Sequence, residues 1–423
     1  MNHCIALVTL AAAFALPAQA LSLRAAATQA LHHDPRMSQA SAEIDTAKAA
    51  RDGAVVSDAF SLGFAADVGR SELRIDAPFP QSGYRTPNSM ALAASQPLYN
   101  GGRSAALEEA ARRQLEAALE RRRDVGGKLI LATLTAYLDL KRDREILRLG
   151  QSTHDTLRQA RHDAGKRFDA GEATRTDVSQ ADARVAEAGA QVLRAEAQLR
   201  ASEITLSRLL GEVPTDLDAG WPRQLPTAAS REEAVRLSKK APGVVSAQEA
   251  GHAAAAQVQL AQAEGRPQLS LDGHAVTRDD TEFGYSRLNT WAVQLKVNVP
   301  ILTGGRVPAK VAEASARAAA SRFNAEDVQA FYAQTAASEW EMLGAAQQVI
   351  TAVQAQVQAA ELSLDGVEKE LRVGSRTTLD LLDAQRELLA ARVNLVVAER
   401  DRAVTAFRLL AACGTLELYN VPD

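Results

Sequence analysis

The sequence predicts a mainly helical protein with a small β part, built from a duplicated unit of helix, β-hairpin, long helix and returning helix. Three observations predict this class. Two motifs of the first half recur in the second half at one displacement. A helix-forming stretch of about 65 residues follows the first motif in each half. Short segments of alternating apolar and polar residues, typical of β-strands, precede that motif.

The duplication is visible in the displacement of the two motifs. Gln96–Arg103 returns as Val299–Arg306, and Gly171–Asp177 returns as Gly374–Asp380, each 203 positions later. The stretch between the motifs therefore has no net insertion in either half, as expected of a long rod whose two ends must both reach fixed positions. A period of about 200 residues indicates a duplicated domain and not a solenoid repeat.

The earlier part of each half matches at a different displacement. Pro35 pairs with Pro242, 207 positions later, so the halves differ in length by four residues upstream of the first motif. Length differences collect in exposed loops. We therefore predict a loop at 71–89 in the first half, opposed by a shorter loop at 279–289 in the second.

The first residues are typical of a secretory signal peptide. Residues 4–16 are apolar, and the small-x-small sequence Ala18–Ala20 follows them. We expect residues 1–20 to be removed. The first repeat is then expected at 21–226 and the second at 227–423.

Composition and spacing argue against several function classes. The formal net charge of −4 provides no footprint for nucleic acid. Loss of Cys4 with the signal peptide leaves Cys413 alone, so no intrachain disulfide is expected. The seven histidines do not recur between the halves and lack the spacing of a zinc site. We therefore expect no enzyme activity, no cofactor and no metal site.

Four segments alternate between apolar and polar or small residues. We place strands at about 60–70, 90–99, 269–277 and 290–301. The clearest, Trp291–Ile301, alternates over about eleven residues, the pattern of a strand with lipid on one face and water on the other. A single strand of this kind is more often part of a soluble hairpin with one buried face. Nothing else in the sequence supplies a sheet for the hairpins to pack on, which favours the membrane.

Strands in a membrane must have every backbone edge paired, so their sheet must close. Four strands are too few, because the smallest membrane barrels have about eight. The chain is therefore expected to oligomerise, and two to four copies would supply about eight to sixteen strands.

The long stretches predict helices that project into an aqueous compartment. Arg103–Ala170 contains no proline, and Arg306–Val373 contains only Pro308, in the first turn, where proline is tolerated. At about 1.5 Å per residue each helix is roughly 100 Å long, against about 30 Å of hydrocarbon in a bilayer. These helices carry charges on most turns and are not membrane spans, and no other stretch after the signal peptide is long and apolar enough to be one.

Each long helix is followed by a tight turn and a returning helix. Gly171 and Gly374 are placed to close the preceding helices. Capping boxes then begin the returning helices, at Thr174–Asp177 and Thr377–Asp380.

The strand end Pro97–Gly102 and the second tip Val373–Ala384 resemble the corresponding motifs of the TolC-type outer-membrane efflux proteins. The resemblance implies a homotrimer in the outer membrane of a Gram-negative bacterium, in which a twelve-stranded β-barrel is continued by a twelve-helix α-barrel tunnel through the periplasm. It also implies a passive exit duct that receives its cargo from an inner-membrane pump, proton-driven or ABC, through a periplasmic adaptor (membrane fusion protein). Such ducts serve efflux of small molecules or type I protein secretion.

The resemblance places Asp380 and Asp383 around the periplasmic aperture of the channel. In a trimer they would put six carboxylates around one opening, which is costly by like-charge repulsion unless cations are favoured there. Helix capping is by itself a sufficient reason for Asp380. Asp383 lies one turn further on the same face and has no capping role.

Other tip residues resemble the family's gate and its adaptor contacts. Arg376, with Thr176 and Asp177 as polar partners, resembles the residues that hold the entrance shut, and Leu371 stands where some relatives have tyrosine. Four further positions resemble the tip residues that meet the adaptor, although a helix C-cap would also explain the glycines: Ala170, Gly171, Val373 and Gly374. The turns from strand to long helix are expected at Pro97, Gly101, Gly102, Pro300, Gly304 and Gly305.

One alternative from another class is a soluble periplasmic coiled-coil scaffold or adaptor without a pore. It would share the long helices and the secretion signal. It would not need the strict alternation of Trp291–Ile301, or hairpins at corresponding positions in both halves.

Overall fold

The computed structural model describes residues 20–75, 81–212, 214, 216–218, 220–222, 225–279 and 287–422. The expected signal peptide therefore lies outside the described residues, apart from its last position. The chain divides into two compact units. The first comprises the described residues of Met1–Ser38, Asp124–Ala241 and Phe331–Asp423, and the second those of Gln39–Arg123 and Pro242–Ala330.

Eight α-helices and six strands occur in the part of the chain that the structure describes. The helices are α1 (Leu23–His33), α2 (Pro35–Val55), α3 (Arg103–Asp169), α4 (Arg175–Leu210), α5 (Arg231–Ser238), α6 (Pro242–Ala263), α7 (Arg306–Arg372) and α8 (Thr378–Ala412). The strands are β1 (Ser61–Val68), β2 (Ser71–Ile75), β3 (Gln81–Arg85), β4 (Asn88–Tyr99), β5 (Gln268–Asp279) and β6 (Arg287–Asn298). The predicted class, mainly α with a small β part, is confirmed.

Each half begins with two helices where the sequence predicted one. Asp34 has an extended backbone between α1 and α2, because the residue before a proline is biased away from helical geometry. Pro35 and Pro242 occupy the first positions of α2 and α6. Proline is favoured there, since the N–H that it lacks has no partner within the helix.

The long helices α3 and α7 each contain 67 residues. Gly126 and Gly127 lie inside α3 without interrupting it. Among the described helices, none combines the length and the apolar character that crossing a membrane requires.

The four longer strands form one antiparallel sheet in the order β1-β4-β5-β6. The pairing of β4 with β5 joins the β1–β4 pair of the first half to the β5–β6 pair of the second half. The register aligns Phe64 with Leu92, Leu92 with Ala275, and Ala275 with Trp291. Since side chains alternate between the faces of a strand, these residues share one apolar face, which is exposed in the single chain. β1 and β6 form the two edges of the sheet.

The prediction of a loop at 71–89 is wrong, because β2 and β3 form an antiparallel pair there and β4 already begins at Asn88. Gly83 lies within β3, and Pro87 lies between β3 and β4. These residues are therefore compatible with strands on either side of them. The opposing segment at 279–289 lies largely outside the described residues.

The strand at 290–301 ends earlier than predicted. β6 stops at Asn298, and Pro300 and Ile301 follow it outside the strand. Proline has no N–H to donate to the ladder, which explains the early end.

The largest buried cluster lies in the first unit and joins α1, α3, α4 and α8. Tyr137 and Phe407 are its largest fully buried side chains. Much of the remaining buried surface is alanine, which permits close helix packing but buries little apolar area per residue.

Candidate functional site

The two tips, where α3 turns into α4 and α7 turns into α8, close in the same way. Gly171 and Gly374 each have a φ of 78°, in the left-handed region that favours glycine. The next N–H in each tip reaches back five residues, from Glu172 to the carbonyl of Arg167 at 2.8 Å and from Ser375 to that of Glu370 at 3.0 Å. Both ends are therefore Schellman motifs, which satisfy carbonyls left open at the helix end.

The capping box predicted at the start of α8 is confirmed. The Thr377 Oγ1 accepts from the Asp380 N–H at 3.2 Å, and the Asp380 carboxylate accepts from the Thr377 N–H at 2.9 Å. The same pair of bonds links Thr174 and Asp177 at the start of α4. These backbone hydrogen bonds hold the pKa of both carboxyl groups below the usual range, so both are ionised at neutral pH.

Arg376 contacts carboxylates of its own tip. Its Nε donates to the Glu370 carboxylate at 2.8 Å, and its Nη1 lies 3.9 Å from Asp380. The bond to Glu370 raises the pKa of Arg376. Within one chain the structure does not bring Arg376 to its predicted partner Asp177, whose carboxylate is engaged with Thr174. Thr176 is exposed on the first tip.

Asp383 is joined to the other returning helix. Its Oδ1 accepts from Nη2 of Arg184, on α4, at 3.0 Å. Arg184 also contacts Glu187 at 3.0 Å, and Arg386 lies 3.9 Å from Asp383. Sequence reasoning missed Arg184, because its partner is 199 positions away and no local spacing signals the pair.

A small apolar cluster joins the same helices as this ion pair. Leu382, next to Asp383, is 1% exposed. It packs with residues of α3 and α4, namely Leu157, Ala164, Ala181 and Ala188. The start of α8 is therefore held to the α3–α4 hairpin by apolar contact as well as by charge.

The four positions expected to meet an adaptor lie on the surface of the tips. Val373 is 80% exposed, and Ala170, Gly171 and Gly374 are exposed as well. A Cβ placed on either glycine would meet no atom within 4 Å. The backbone conformation, and not packing within the chain, therefore requires glycine at these two positions.

Glycine pairs stand between strand and long helix in both halves. Gly101 and Gly102 have φ of 70° and 84° between β4 and α3, and Gly304 and Gly305 have φ of 59° and 81° between β6 and α7. A Cβ on Gly101 would lie 2.7 Å from the Cβ of Arg266, so close packing adds to the backbone requirement there. Two prolines lie nearby, one at a register shift of β4 and one just after β6, namely Pro97 and Pro300.

Within the described ranges, no group of three or more His, Cys, Asp or Glu residues is arranged to hold a metal ion. The predicted charged residues of the tips are instead engaged in caps or ion pairs, namely Asp177, Arg376, Asp380 and Asp383. The geometry presents charge and exposed small residues at the tips, and an apolar sheet face in the second unit.

Comparisons with known proteins agree with this arrangement. The family model described as outer membrane efflux protein matches residues 26–212 and 235–415. The outer membrane efflux protein BepC of Brucella suis is 33% identical over 341 residues, which cover 80% of this chain and 74% of BepC. The outer membrane protein TolC of Vibrio cholerae is 27% identical over 312 residues, 70% of this chain and 69% of that protein.

The fold has solved counterparts. The crystal structure of the outer membrane protein VceC of Vibrio cholerae superposes with a TM-score of 0.80 at 23% sequence identity, covering 93% of this chain and 96% of VceC. Because the family model spans both repeats and the Brucella relative exceeds 30% identity, the chain belongs to the outer membrane efflux protein family.

Proposed function

We propose that this outer-membrane efflux protein is the passive exit duct of a tripartite export system, assembled as a homotrimer with a periplasmic adaptor and an inner-membrane pump. The observation that carries the proposal is the four-stranded sheet, whose apolar face is exposed and whose edges are β1 and β6. The pump, proton-driven or ABC, selects the cargo, so the proposal covers efflux of small molecules and type I secretion alike.

The sheet supports closure with other copies of the chain. Trp291, Val293, Leu295 and Val297 of β6 are exposed on one face, and an apolar face of this kind on a strand is typical of a barrel surface that contacts lipid. Backbone groups at an edge strand cannot remain unpaired in lipid. Pairing β6 of each copy with β1 of the next satisfies both edges, and three copies then supply twelve strands.

The tips support the proposed entrance. We assign Asp380 and Asp383 to the periplasmic aperture, where a ring of carboxylates would favour cations. Arg376 is assigned to the restraint of the closed entrance, with Thr176 and Asp177 of a neighbouring subunit as its partners. The exposed tip positions described above, Ala170, Gly171, Val373 and Gly374, are assigned to the adaptor.

The proposal also covers the limits of the two repeats and the expectation that the chain is not an enzyme. We assign the repeats to 21–226 and 227–423, which places their junction in the segment between α4 and α5. The chain is proposed to catalyse no reaction, since its relatives carry the names of outer membrane and efflux proteins.

Conductance in planar bilayers tests the proposal. The purified protein should form trimers on crosslinking and cation-selective channels, and Asp380→Asn with Asp383→Asn should reduce that selectivity. Replacing both Arg376 and Asp177 with alanine should raise the conductance, whereas Arg372→Ala, an exposed arginine at the end of α7, serves as the control. Recovery of the protein in the soluble fraction of washed envelopes would support the scaffold instead.

A further inference from the structure

The ion pair between Arg184 and Asp383 joins the two returning helices of one chain at the end where the entrance is proposed. Its atoms are 3.0 Å apart, and the Arg184 side chain is mostly buried, with 27% of it exposed. Leu382 is buried beside it against α3 and α4. The first turns of α8 are therefore fastened to α4 at the residue assigned to the aperture.

The residues that make this ion pair and the buried contact of Leu382 do not recur at the duplicated positions. At the displacement of 203, Leu382 and Asp383 correspond to Ser179 and Gln180, and Arg184 corresponds to Glu387. The first half thus lacks both the leucine and the carboxylate, and the second half has an acid where the arginine would be. The pair is not a general consequence of packing these helices, since the duplicated positions do without it.

The charges around Asp383 balance within each chain. Arg184 contacts Asp383 and Glu187, and Arg386 of α8 lies 3.9 Å from Asp383. Two arginines therefore face two carboxylates. Loss of Arg184 would leave one negative charge per chain without compensation, and would release α8 from α4 at the same time.

We propose that Arg184 is a positioning residue of the entrance, which holds Asp383 and the start of α8 against α4 and so restrains opening while compensating part of the aperture charge. This inference rests on the proposed function of Asp383. It differs from the restraint assigned to Arg376. Arg376 is proposed to pair with a neighbouring subunit, whereas Arg184 and Asp383 join α4 to α8 within one chain.

Single-channel recordings under a KCl gradient test the inference, with the open-to-closed ratio and the reversal potential as readouts. Arg184→Gln should raise the open-to-closed ratio about fivefold, the effect expected of losing one partly exposed ion pair, and should move the reversal potential toward greater cation selectivity. Arg184→Lys, which keeps the charge, should stay closer to the parent. A charge swap, Arg184→Asp with Asp383→Arg, should restore part of the low ratio, because it forms the pair again but places each new charge beside a like charge, that of Glu187 or of Arg386.

Arg386→Gln is the matched control. It removes an arginine near the same carboxylate, but its partner lies on its own helix, so the open-to-closed ratio should stay within about twofold of the parent. Trimer formation by crosslinking establishes assembly for every variant. If Arg184→Gln does not assemble, Asp383→Asn removes the same pair from the other side and supplies the ratio.

The outcomes separate the inference from the function on which it rests. An unchanged ratio in Arg184→Gln, combined with altered selectivity in Asp383→Asn, overturns the role of Arg184 and leaves the aperture intact. An unchanged reversal potential in Asp383→Asn would contradict the assignment of Asp383 to the aperture. The open-to-closed ratio of Arg184→Gln alone would then decide whether Arg184 restrains opening.

Discussion

Tyr137 and Trp340 make the same hydrogen bond in the two repeats. The Tyr137 hydroxyl donates to the carbonyl of Leu21 at 2.6 Å, and Nε1–H of Trp340 donates to the carbonyl of Ala228 at 3.3 Å. The aromatic residues are 203 positions apart and the carbonyls 207, the two displacements of the duplication. In each half an aromatic side chain of the long helix thus binds the backbone just before a shorter helix, which is α1 in the first half and α5 in the second. The first half uses a tyrosine for this bond and the second half a tryptophan.

Tyr137→Phe should destabilise the first unit. The hydroxyl also accepts from the Asp218 N–H at 2.9 Å, so the variant removes two hydrogen bonds, although the Asp218 N–H keeps its bond to the Leu21 carbonyl at 3.3 Å. The loss should cost about 1 kcal/mol, measurable as a lower midpoint of denaturant unfolding followed by circular dichroism. Tyr419→Phe is the control, since Tyr419 is 70% exposed. Equal midpoints for both variants would contradict the role of the hydroxyl.

The same residue predicts a loss of stability in alkali. Burial raises the pKa of Tyr137 to about 12, from 10.0. A raised pKa favours the folded state while the group is protonated, so this contribution is complete below pH 10 and is lost as the pH rises toward 12. Tyr137→Phe should flatten the decline in that window. Some decline should remain, because burial also raises the pKa of Tyr332.

Asp34→Asn should weaken the junction of α1 and α2 in a pH-dependent way. Two hydrogen bonds from Arg36, at 2.7 and 2.9 Å, lower the pKa of the buried Asp34 carboxyl from 3.8 to about 2. A lowered pKa stabilises the fold above pH 4, and this is lost as the pH falls toward 2. Because Arg36 is half exposed, we expect about 1 kcal/mol at neutral pH.

Urea unfolding at several pH values checks this expectation. The parent and Asp34→Asn should differ at pH 7 and converge toward pH 2. Asp45→Asn is the control, since Asp45 and its partner Lys48 are exposed. A difference between the parent and Asp34→Asn that does not change with pH would rule out the ion pair as its cause.

Trp291 should be quenched by lipids brominated on their acyl chains. It is 81% exposed on the apolar face of the sheet, which is proposed to face lipid. Phenylalanine at Trp221 and Trp340 leaves Trp291 as the reporter among the three tryptophans of the chain. Moving the reporter one residue, by Trp291→Phe with Ala292→Trp, places it on the opposite face and should greatly reduce the quenching. Equal quenching at both positions would argue against a lipid-facing surface.

Thr377→Ala and Asp380→Asn separate capping from channel selectivity. Thr377→Ala removes a cap hydrogen bond of α8, at a cost of about 1 kcal/mol of helix stability, but keeps the Asp380 charge. Asp380→Asn removes the charge. Single-channel reversal potentials should therefore change in the second variant and not in the first. If both variants shift the reversal potential equally, the role of Asp380 is to begin the helix and not to attract cations.

Local chemistry made much of this fold predictable from the sequence. Gly171 and Gly374, and the threonine–aspartate boxes after them, act on neighbours within a few residues, so their spacing is sufficient to locate the tips. The alternation in Trp291–Ile301 likewise indicated a strand with one apolar face. The turn residues of the segment at 71–89 favour a loop, but glycine and proline are tolerated within or beside short strands, so they do not exclude β2 and β3.

The duplication was predictable because whole motifs recur at one displacement. The lengths of the helices and the apolar face of the hairpins were predictable because periodicity and capping depend on residues close together in the chain. Three further contacts are visible only in the folded chain: β4 pairs with β5, Tyr137 bonds Leu21, and Arg184 holds Asp383. These contacts join residues separated by more than a hundred positions, and no local pattern records which distant groups the packed helices bring within bonding distance.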